Sequence, residues 1–493
     1  MKQKIGIVGG GVGGLVTALL LSKDPKKEIT IYEKSNSFGG RLRFTGNEDF
    51  RIDEGPTIVL LPDMLLSILE EGGISKKRLP LIECDPLYSV EYSNGDSLLK
   101  YRDIQKQKEE IERVFPGDGE GFERFIKDMR WRFVRGQQQF IKQNFVEKKQ
   151  FFSPKNLQTL VKLKAFLHVK QLMKQYFKHE ELQHTYALQT LYIGGHPSES
   201  PALYSLVSYS EHEHGIWYLK GGYASLIDIL EAELKQRGVK MLTNANVEQL
   251  SIQDNHCDGL QMNGEWHDFD DVVLNGDFPL MDDLLPEEQK QNKSYTPSSG
   301  CLLIYMGLTR NYTQSSIHRF FIGDDFEKHM KDVFQHRKVP VDPSIYTFHP
   351  SIIDDTLAPP GKGVLYTLVP VPSGSHIDWS CKEEYAEYII RKLEEKGYPS
   401  LRDSIEWMKV KSPQESMQEG LYQGGSFGIA PTLFQSGVFR PQLKPFGIEN
   451  VYAVGASIHP GGGVPIVMQG AKMLSDYMNQ DVYMTLQKRG NVT

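Results

Sequence analysis

Two glycine-rich turns, one at each end of the chain, constrain what this sequence can fold into more than any other feature. The first lies in "KIGIVGGGVGGLVTALLLS", residues 4–22. Residues 5–8 are apolar enough for a short buried strand, and the run after the glycines reads as a helix. Gly9, Gly11 and Gly14 match G-x-G-x-x-G. In that spacing the first glycine permits the tight turn, and the second lets the backbone approach a pyrophosphate. The third lets the helix pack close to the strand. The helix N-terminus adds free N–H groups and a partial positive charge. A second strand, "EITIYEK", ends near Glu33, about 20 residues after the turn, where an acid hydrogen-bonds a ribose. Strand, turn, helix and acid together predict a dinucleotide site. The second turn belongs to "NVYAVGASIHPGGGVPIVMQGAKMLSDYM", residues 450–478. Its strand, residues 451–454, is predicted to join the same parallel sheet. Gly461, Gly462 and Gly463 let the backbone pass close to a flat ligand. Pro465 suits the first turn of a helix, where its missing N–H costs nothing.

"SFGGRLRF" puts Gly39, Gly40 and Arg41 soon after the acid. It resembles the Gly-Gly-Arg segment of the FAD-dependent amine oxidase and carotenoid desaturase superfamily, which covers the FAD diphosphate and ribityl chain. Arginine suits that place because its planar fork donates two hydrogen bonds. "FRIDEGPTIVLLPD" reads as a strand end and a turn. It also resembles the family segment that passes beside the flavin, with Asp53 and Glu54 preceding Gly55, Pro56 and Thr57. FAD is long, so a chain that folds its C-terminus back onto its first turn can cradle both ends of it. The N–H groups of residues 466–468 would then face the flavin's pyrimidine edge, and the helix dipole would stabilise the anionic reduced ring.

Four stretches, "GASIHPGGGVPIV", "GPTIVLLPD", "LQTLYIGGHP" and "GSFGIAPTLFQSGVFRPQ", together resemble bacterial carotenoid desaturases of the C30 type, nearly end to end. The resemblance implies FAD and a cofactor shell of Gly9, Gly11, Gly14, Glu33, Lys34, Gly40, Arg41, Gly55, Pro56, Thr57, Val247, Gly455, Pro465, Val467 and Met468. It implies no metal. Many flavoproteins carry Gly-Asp where this chain has Gly455-Ala456, so ribityl or phosphate contacts must come from elsewhere. His459, beside the glycines, could touch the flavin or relay a proton; a hydrogen-bonded turn histidine is the simpler reading.

The expected fold is α/β: a Rossmann-type FAD-binding domain with a discontinuous antiparallel-sheet substrate domain and a helical, membrane-associating region. The FAD-binding domain takes residues 1–81, 214–290 and 416–493; the substrate domain takes 82–117 and 291–415; the helical region is 118–213. In the second FAD-binding part, Leu226, Ile229, Leu230 and Leu234 recur at helical spacing before Gly238. "VKMLTNANVEQLSIQ" reads as one strand, and "DDVVLNGDF" as another that ends at Asn275-Gly276. Within the helical region, "FFSPKNLQTLVKLKAFLHVKQLMKQYFKH" mixes lysines with aromatic and aliphatic residues. A basic helix of this kind can lie on an anionic membrane surface. In the substrate domain, "SSGCLLIYMGL" reads as a strand, and the prolines of "GVLYTLVPVPSG" limit that strand to an edge. "WSCKEEYAEYIIRKLEEKGY" reads as a helix with a Ser380–Glu383 capping box and a stop at Gly397.

Composition narrows the function classes. The net charge of −7 over 493 residues offers no basic field for nucleic acid. Cys84, Cys257, Cys301 and Cys381 are scattered, so neither a disulfide framework nor a zinc site is indicated, and a cytoplasmic chain held at a membrane surface is expected. No run of about 18 apolar residues is present. The basic-then-apolar start superficially resembles a signal peptide, but its glycines belong to the nucleotide turn. No Ser-His-Asp, metal or P-loop pattern points to other chemistry. The resemblance implies FAD-dependent, stepwise desaturation of 4,4′-diapophytoene, an apolar C30 isoprenoid, to diaponeurosporene or diapolycopene. The cofactor carries the redox chemistry and passes electrons to oxygen or a quinone. "GVPIVMQGAK" and "FGIAPTLFQ" favour that reading. The alternatives are a C30 terminal-methyl oxidase of the same family and a non-catalytic isoprenoid-binding flavoprotein. No side chain is singled out as a catalytic acid or base.

Overall fold

The computed structural model describes residues 2–490, with side-chain surroundings through residue 480. Five strands form a parallel sheet in the order Val451–Ala453, Asp271–Leu274, Gln3–Val8, Lys27–Tyr32, Lys240–Leu242. Both ends of the chain therefore enter one sheet. Ile7 pairs with Val273, and Val273 with Tyr452. The central strands are apolar almost throughout because both faces are covered, one by helices and the other by the antiparallel strands Val247–Gln253, His256–Met262 and Glu265–Asp268. The helix Val12–Leu21 packs against both Ser225–Gln236 and the terminal helix Val464–Gly490. Its own residues are almost all buried.

The second large sheet has seven strands, in the order Ile405–Lys411, Gly300–Leu308, Gly363–Val371, Ile345–Phe348, His318–Phe321, Tyr88–Glu91, Ser97–Lys100. All its pairs are antiparallel except His318–Phe321 with Tyr88–Glu91. The two-residue side-chain period separates its faces. Leu302, Ile304, Met306, Leu365 and Val369 pack on Ile389, Ile390 and Leu393 of the helix Lys382–Lys396. Leu303, Tyr346, Tyr366 and Leu368 point the other way, into a cavity. The mixed α/β architecture thus has the expected character. Among the described residues, no helix is long and apolar enough to cross a membrane.

Four local expectations are corrected. Residues 239–253 make two strands: Lys240–Leu242 joins the parallel sheet, and Val247–Gln253 starts a separate three-stranded antiparallel sheet. Asn244 breaks the run at φ 52°, a left-handed conformation that asparagine tolerates. The Gly363–Val371 strand is central, between Gly300–Leu308 and Ile345–Phe348. Pro370 is accommodated because the pairing with Ile345–Phe348 stops at Leu368, which leaves that side locally an edge. The long basic stretch is not one helix but Lys148–Phe151, Pro154–Lys162 and Val169–Met173. Ser153 caps the second, accepting a hydrogen bond from the Asn156 N–H, and Pro154 disfavours helix at the residue before it. The predicted capping box is absent: the helix begins at Lys382, and the Ser380 hydroxyl instead donates to Asp378.

Candidate cofactor and substrate site

A cavity of about 810 Å³ runs between the two sheets. Gly9 and Gly11 form its wall at the end of the first strand. Gly9 sits at φ 103°, and a Cβ there would overlap the Asn275 carbonyl oxygen. Asn275 also donates from Nδ2 to the carbonyls of Gly9 (3.0 Å) and Gly11 (3.2 Å). This clamp on the turn has no local sequence signal beyond an Asn-Gly pair at a strand end. Gly14 lies off the cavity; a Cβ there would strike the Gly9 carbonyl, so it serves helix-to-strand packing. Glu33 is buried at the end of its strand, where it accepts from the N–H groups of Gly10 and Ser35, both at 2.8 Å. Acid and glycine turn are thereby locked together.

The same cavity is lined by Lys34, Gly40, Arg41, Gly55, Pro56, Thr57, Val247, Gly455, Pro465 and Val467. They come from five chain segments. Arg41 donates to the Ser426 carbonyl at 3.0 Å. Gly55 leaves no room for a Cβ against the Arg41 carbonyl, which keeps these two segments in contact. Met468 is different: it lies on the terminal helix, fully buried in the core rather than in the cavity lining. The Val467 N–H is already bonded to the Gly463 carbonyl at 2.9 Å, and Pro465 has none. The free first-turn donors are therefore those of Val464 and Ile466, so of the predicted 466–468 group only Ile466 keeps an unbonded N–H.

Around Gly461 and Gly463 the geometry reverses. Their φ values are 135° and 93°, yet a Cβ on Gly463 would meet no protein atom within 4 Å. Glycine here leaves open space in the cavity. One glycine cradle at a helix start, an acid, and a second cradle on open space fit a long dinucleotide with a flat ring at its end. Held there, FAD would rest its diphosphate near Gly9 and Gly11 and its ring near Gly55–Thr57 and Gly461–Gly463.

Three charged residues in or beside the wall hold the surrounding segments together. Asp53 is buried and accepts from the N–H groups of Tyr223 and Ala224, both at 2.8 Å, at the entry to the Ser225–Gln236 helix. Burial pushes its carboxyl up to about 7 against those two hydrogen bonds. Glu54 is held by Arg43, Lys409 and Lys411, which together keep it below the usual carboxylate range despite burial. Arg440 is buried in the cavity wall and donates to the carbonyls of Gln435 and Ala456.

His459 also reaches the cavity wall, but its Nε2 lies 2.9 Å from the Gln143 carbonyl and 3.1 Å from that of Phe140. It ties the glycine loop to the helical region, which supports the turn-histidine reading. Burial lowers its pKa to about 4. An unfolded histidine protonates near 6.5, so unfolding takes up a proton between these values. The stability His459 confers is full above about 6.5 and is lost as pH falls toward about 4. Urea midpoints at pH 7 and pH 5 should therefore converge in His459→Asn relative to the parent. An unchanged gap would contradict this.

Beyond the expected cofactor segments, the cavity becomes an apolar chamber walled by Leu188, Leu191, Leu303, Phe320, Ile322 and Leu368. Such a wall suits a hydrocarbon and excludes water.

Comparison with known proteins agrees with this geometry. The model of the flavin-containing amine oxidoreductase family matches residues 12–474. The chain is 54% identical over 484 residues to a 4,4′-diapolycopen-4-al dehydrogenase of Metabacillus indicus, covering 97% of this chain and 98% of that one. It is 33% identical over 500 residues to a 4,4′-diaponeurosporene-forming 4,4′-diapophytoene desaturase of Staphylococcus haemolyticus strain JCSC1435, covering 97% and 99%. Putrescine oxidase bound to putrescine shares the fold, with a TM-score of 0.65 at 15% identity and coverage of 98% and 99%. The chain is a FAD-dependent oxidoreductase of the flavin-containing amine oxidoreductase family, and it belongs to the bacterial C30 carotenoid desaturase group within it.

Proposed function

We propose that this chain oxidises the end group of a linear C30 carotenoid, taking a terminal aldehyde and one water to the acid, with two electrons passing to FAD. The observation that carries this reading is 54% identity, along almost the whole chain, to a protein named for the diapolycopenal reaction, against 33% to the desaturases. When bound, FAD supplies the two-electron chemistry for either reaction. The chain's own part is to hold the cofactor in two glycine cradles, align the polyene in the apolar chamber, and keep bulk water from the hydrocarbon while admitting one water at the aldehyde end, whose oxygen the acid acquires. Desaturation of 4,4′-diapophytoene is the second reading, favoured by the desaturase relatives and by a chamber wall of aliphatic and aromatic side chains. The purified holoenzyme should be given a C30 carotenoid aldehyde and, separately, 4,4′-diapophytoene. A carboxylic acid from the first, with the second unchanged, supports end-group oxidation. Longer polyenes from the second, with the aldehyde untouched, would replace it by desaturation.

A membrane surface is the natural source of such a substrate, and the exposed apolar residues support docking there. Phe434 is 75% exposed, Phe166 64% and Val161 65%. Phe152, Phe439 and Phe434 form a chain of neighbouring rings, 6.4 and 5.8 Å between centroids. Ser436 and Gly437, between Phe434 and Phe439, line the cavity, so the patch borders the chamber. Lys148, Lys149, Lys155 and Lys162 are exposed on the adjoining segments. Aromatic side chains with flanking lysines suit an anionic bilayer surface. Phe434→Ser with Phe439→Ser should weaken cosedimentation with phosphatidylglycerol vesicles at least about tenfold while flavin content stays unchanged. Equal sedimentation would place the docking surface elsewhere.

A further inference from the structure

The chamber wall carries one hydrogen-bonded chain that neither a hydrocarbon substrate nor packing accounts for. The Thr57 hydroxyl lies 2.8 Å from the Tyr346 hydroxyl, which lies 2.7 Å from Nδ1 of His318. Thr57 and Tyr346 line the cavity, whereas His318 is wholly buried behind them. His318 is stacked on Phe348, with ring centroids 5.0 Å apart at 12°, and lies nearly parallel to Tyr346. Its Nε2 is buried without a hydrogen-bond partner.

That vacant nitrogen sets the direction of the whole chain. A buried N–H without an acceptor is rarer and costlier than a buried lone pair without a donor. The proton of His318 therefore belongs on Nδ1, where it is donated to the Tyr346 oxygen. Burial keeps the ring neutral, with its pKa lowered to about 3, so one proton is shared between two nitrogens with unequal surroundings. Tyr346 has then accepted one bond, and its own O–H must donate to Thr57. The Thr57 oxygen is occupied as an acceptor, and its remaining O–H is free to donate. Thr57 belongs to the Gly55–Thr57 segment on the cavity wall.

We propose that Thr57 presents a directed hydrogen-bond donor to a carbonyl-type acceptor in the cavity, with Tyr346 and His318 as the positioning residues that aim it. Two ligands offer that chemistry: the polar edge of the flavin ring and the oxygen of an aldehyde end group. The second source rests on the end-group reading above; the first does not.

The test uses holoenzyme carrying Thr57→Val, Thr57→Ser or Tyr346→Phe. Thr57→Val keeps the side-chain volume and removes the hydroxyl. If the acceptor is on the flavin, Thr57→Val shifts the absorption bands and midpoint potential of substrate-free holoenzyme. If it is on the substrate, those stay fixed, and a C30 carotenoid aldehyde binds about tenfold more weakly, the equivalent of one lost hydrogen bond, while the parent hydrocarbon binds as before. In either case Thr57→Ser retains the parent values, and Tyr346→Phe moves the same readout by less. Parent-like values for Thr57→Val in both readouts would overturn the proposal, as would a Thr57→Ser variant as impaired as Thr57→Val. If the parent binds neither carotenoid, the end-group reading fails, and the flavin readout still decides the role of Thr57.

Discussion

Gly9→Ala should yield a protein that retains no flavin, whereas Gly463→Ala should fold normally and bind flavin weakly. Both glycines have positive φ, 103° and 93°, so each alanine carries a similar backbone cost of about 1–2 kcal/mol. Their surroundings differ. At Gly9 the new Cβ overlaps the carbonyl of Asn275. That carbonyl cannot yield, because the Asn275 N–H is bonded to Val8 at 2.7 Å and its side chain clamps Gly9 and Gly11. The turn, the start of the Val12–Leu21 helix and the adjacent strand must shift together. At Gly463 no protein atom stands in the way, so the Cβ intrudes only on space that the cofactor is expected to fill. Flavin absorbance per protein and far-UV circular dichroism separate the cases. Gly9→Ala should lose the flavin signal and several degrees of thermal midpoint. Gly463→Ala should keep its midpoint without added FAD and show at least about tenfold weaker FAD binding. Equal flavin retention in Gly463→Ala and the parent would remove the terminal loop from the cofactor site.

The second large effect concerns an ion pair that does not line the cavity. Lys100 and Glu211 are both fully buried, 2.6 Å apart. Glu211 also accepts from Tyr88 at 3.1 Å and from Gln189 at 3.0 Å. Burial draws the Lys100 pKa down against the pull of Glu211. Lys100→Met leaves a carboxylate in an apolar interior without its cation, which typically costs about 3–5 kcal/mol. Lys100→Met with Glu211→Gln removes both charges and keeps an acceptor for Tyr88 and Gln189. The double variant should therefore recover most of the loss, with a urea midpoint well above that of Lys100→Met alone. A double variant no more stable than the single one would show that packing around the lysine stem, not charge pairing, is what matters there.

Much of the cofactor side of the cavity is legible in the sequence alone. Glycines in front of helices, an acid at a strand end and the Gly-Gly-Arg segment each carry a local backbone or spacing signature. Gly14 and Met468 lie just behind the cavity, and the other expected cofactor residues line it. Sequence and structure part where local pattern competes with tertiary context. The Val247–Gln253 strand reads as continuous with its predecessor because both are apolar and the intervening asparagine gives little warning. The prolines of the Gly363–Val371 strand argue for an edge, yet a neighbour that stops short accommodates Pro370. The basic stretch is cut at Ser153-Pro154, a start signal hidden within a run of lysines and aromatics. The substrate side is legible only as apolar. Nothing in the local sequence around His318 or Tyr346 announces a hydrogen-bonded pair.

By itself, then, the sequence determined the two cradles, the parallel sheet that brings the ends of the chain together, and the oxidoreductase family. The first two follow from rules that act within a few residues: which side chains permit positive φ, which periods bury a face, and where a helix can begin; the family rests on the resemblance of whole segments. Tertiary structure alone decided that Asn275 would clamp Gly9, that Lys100 would meet Glu211 across 111 positions, and that Thr57 would be aimed by a histidine far along the chain. Such contacts depend on strand order in the two large sheets and on which face of a sheet or helix each residue occupies, and neither is encoded in the residues that touch.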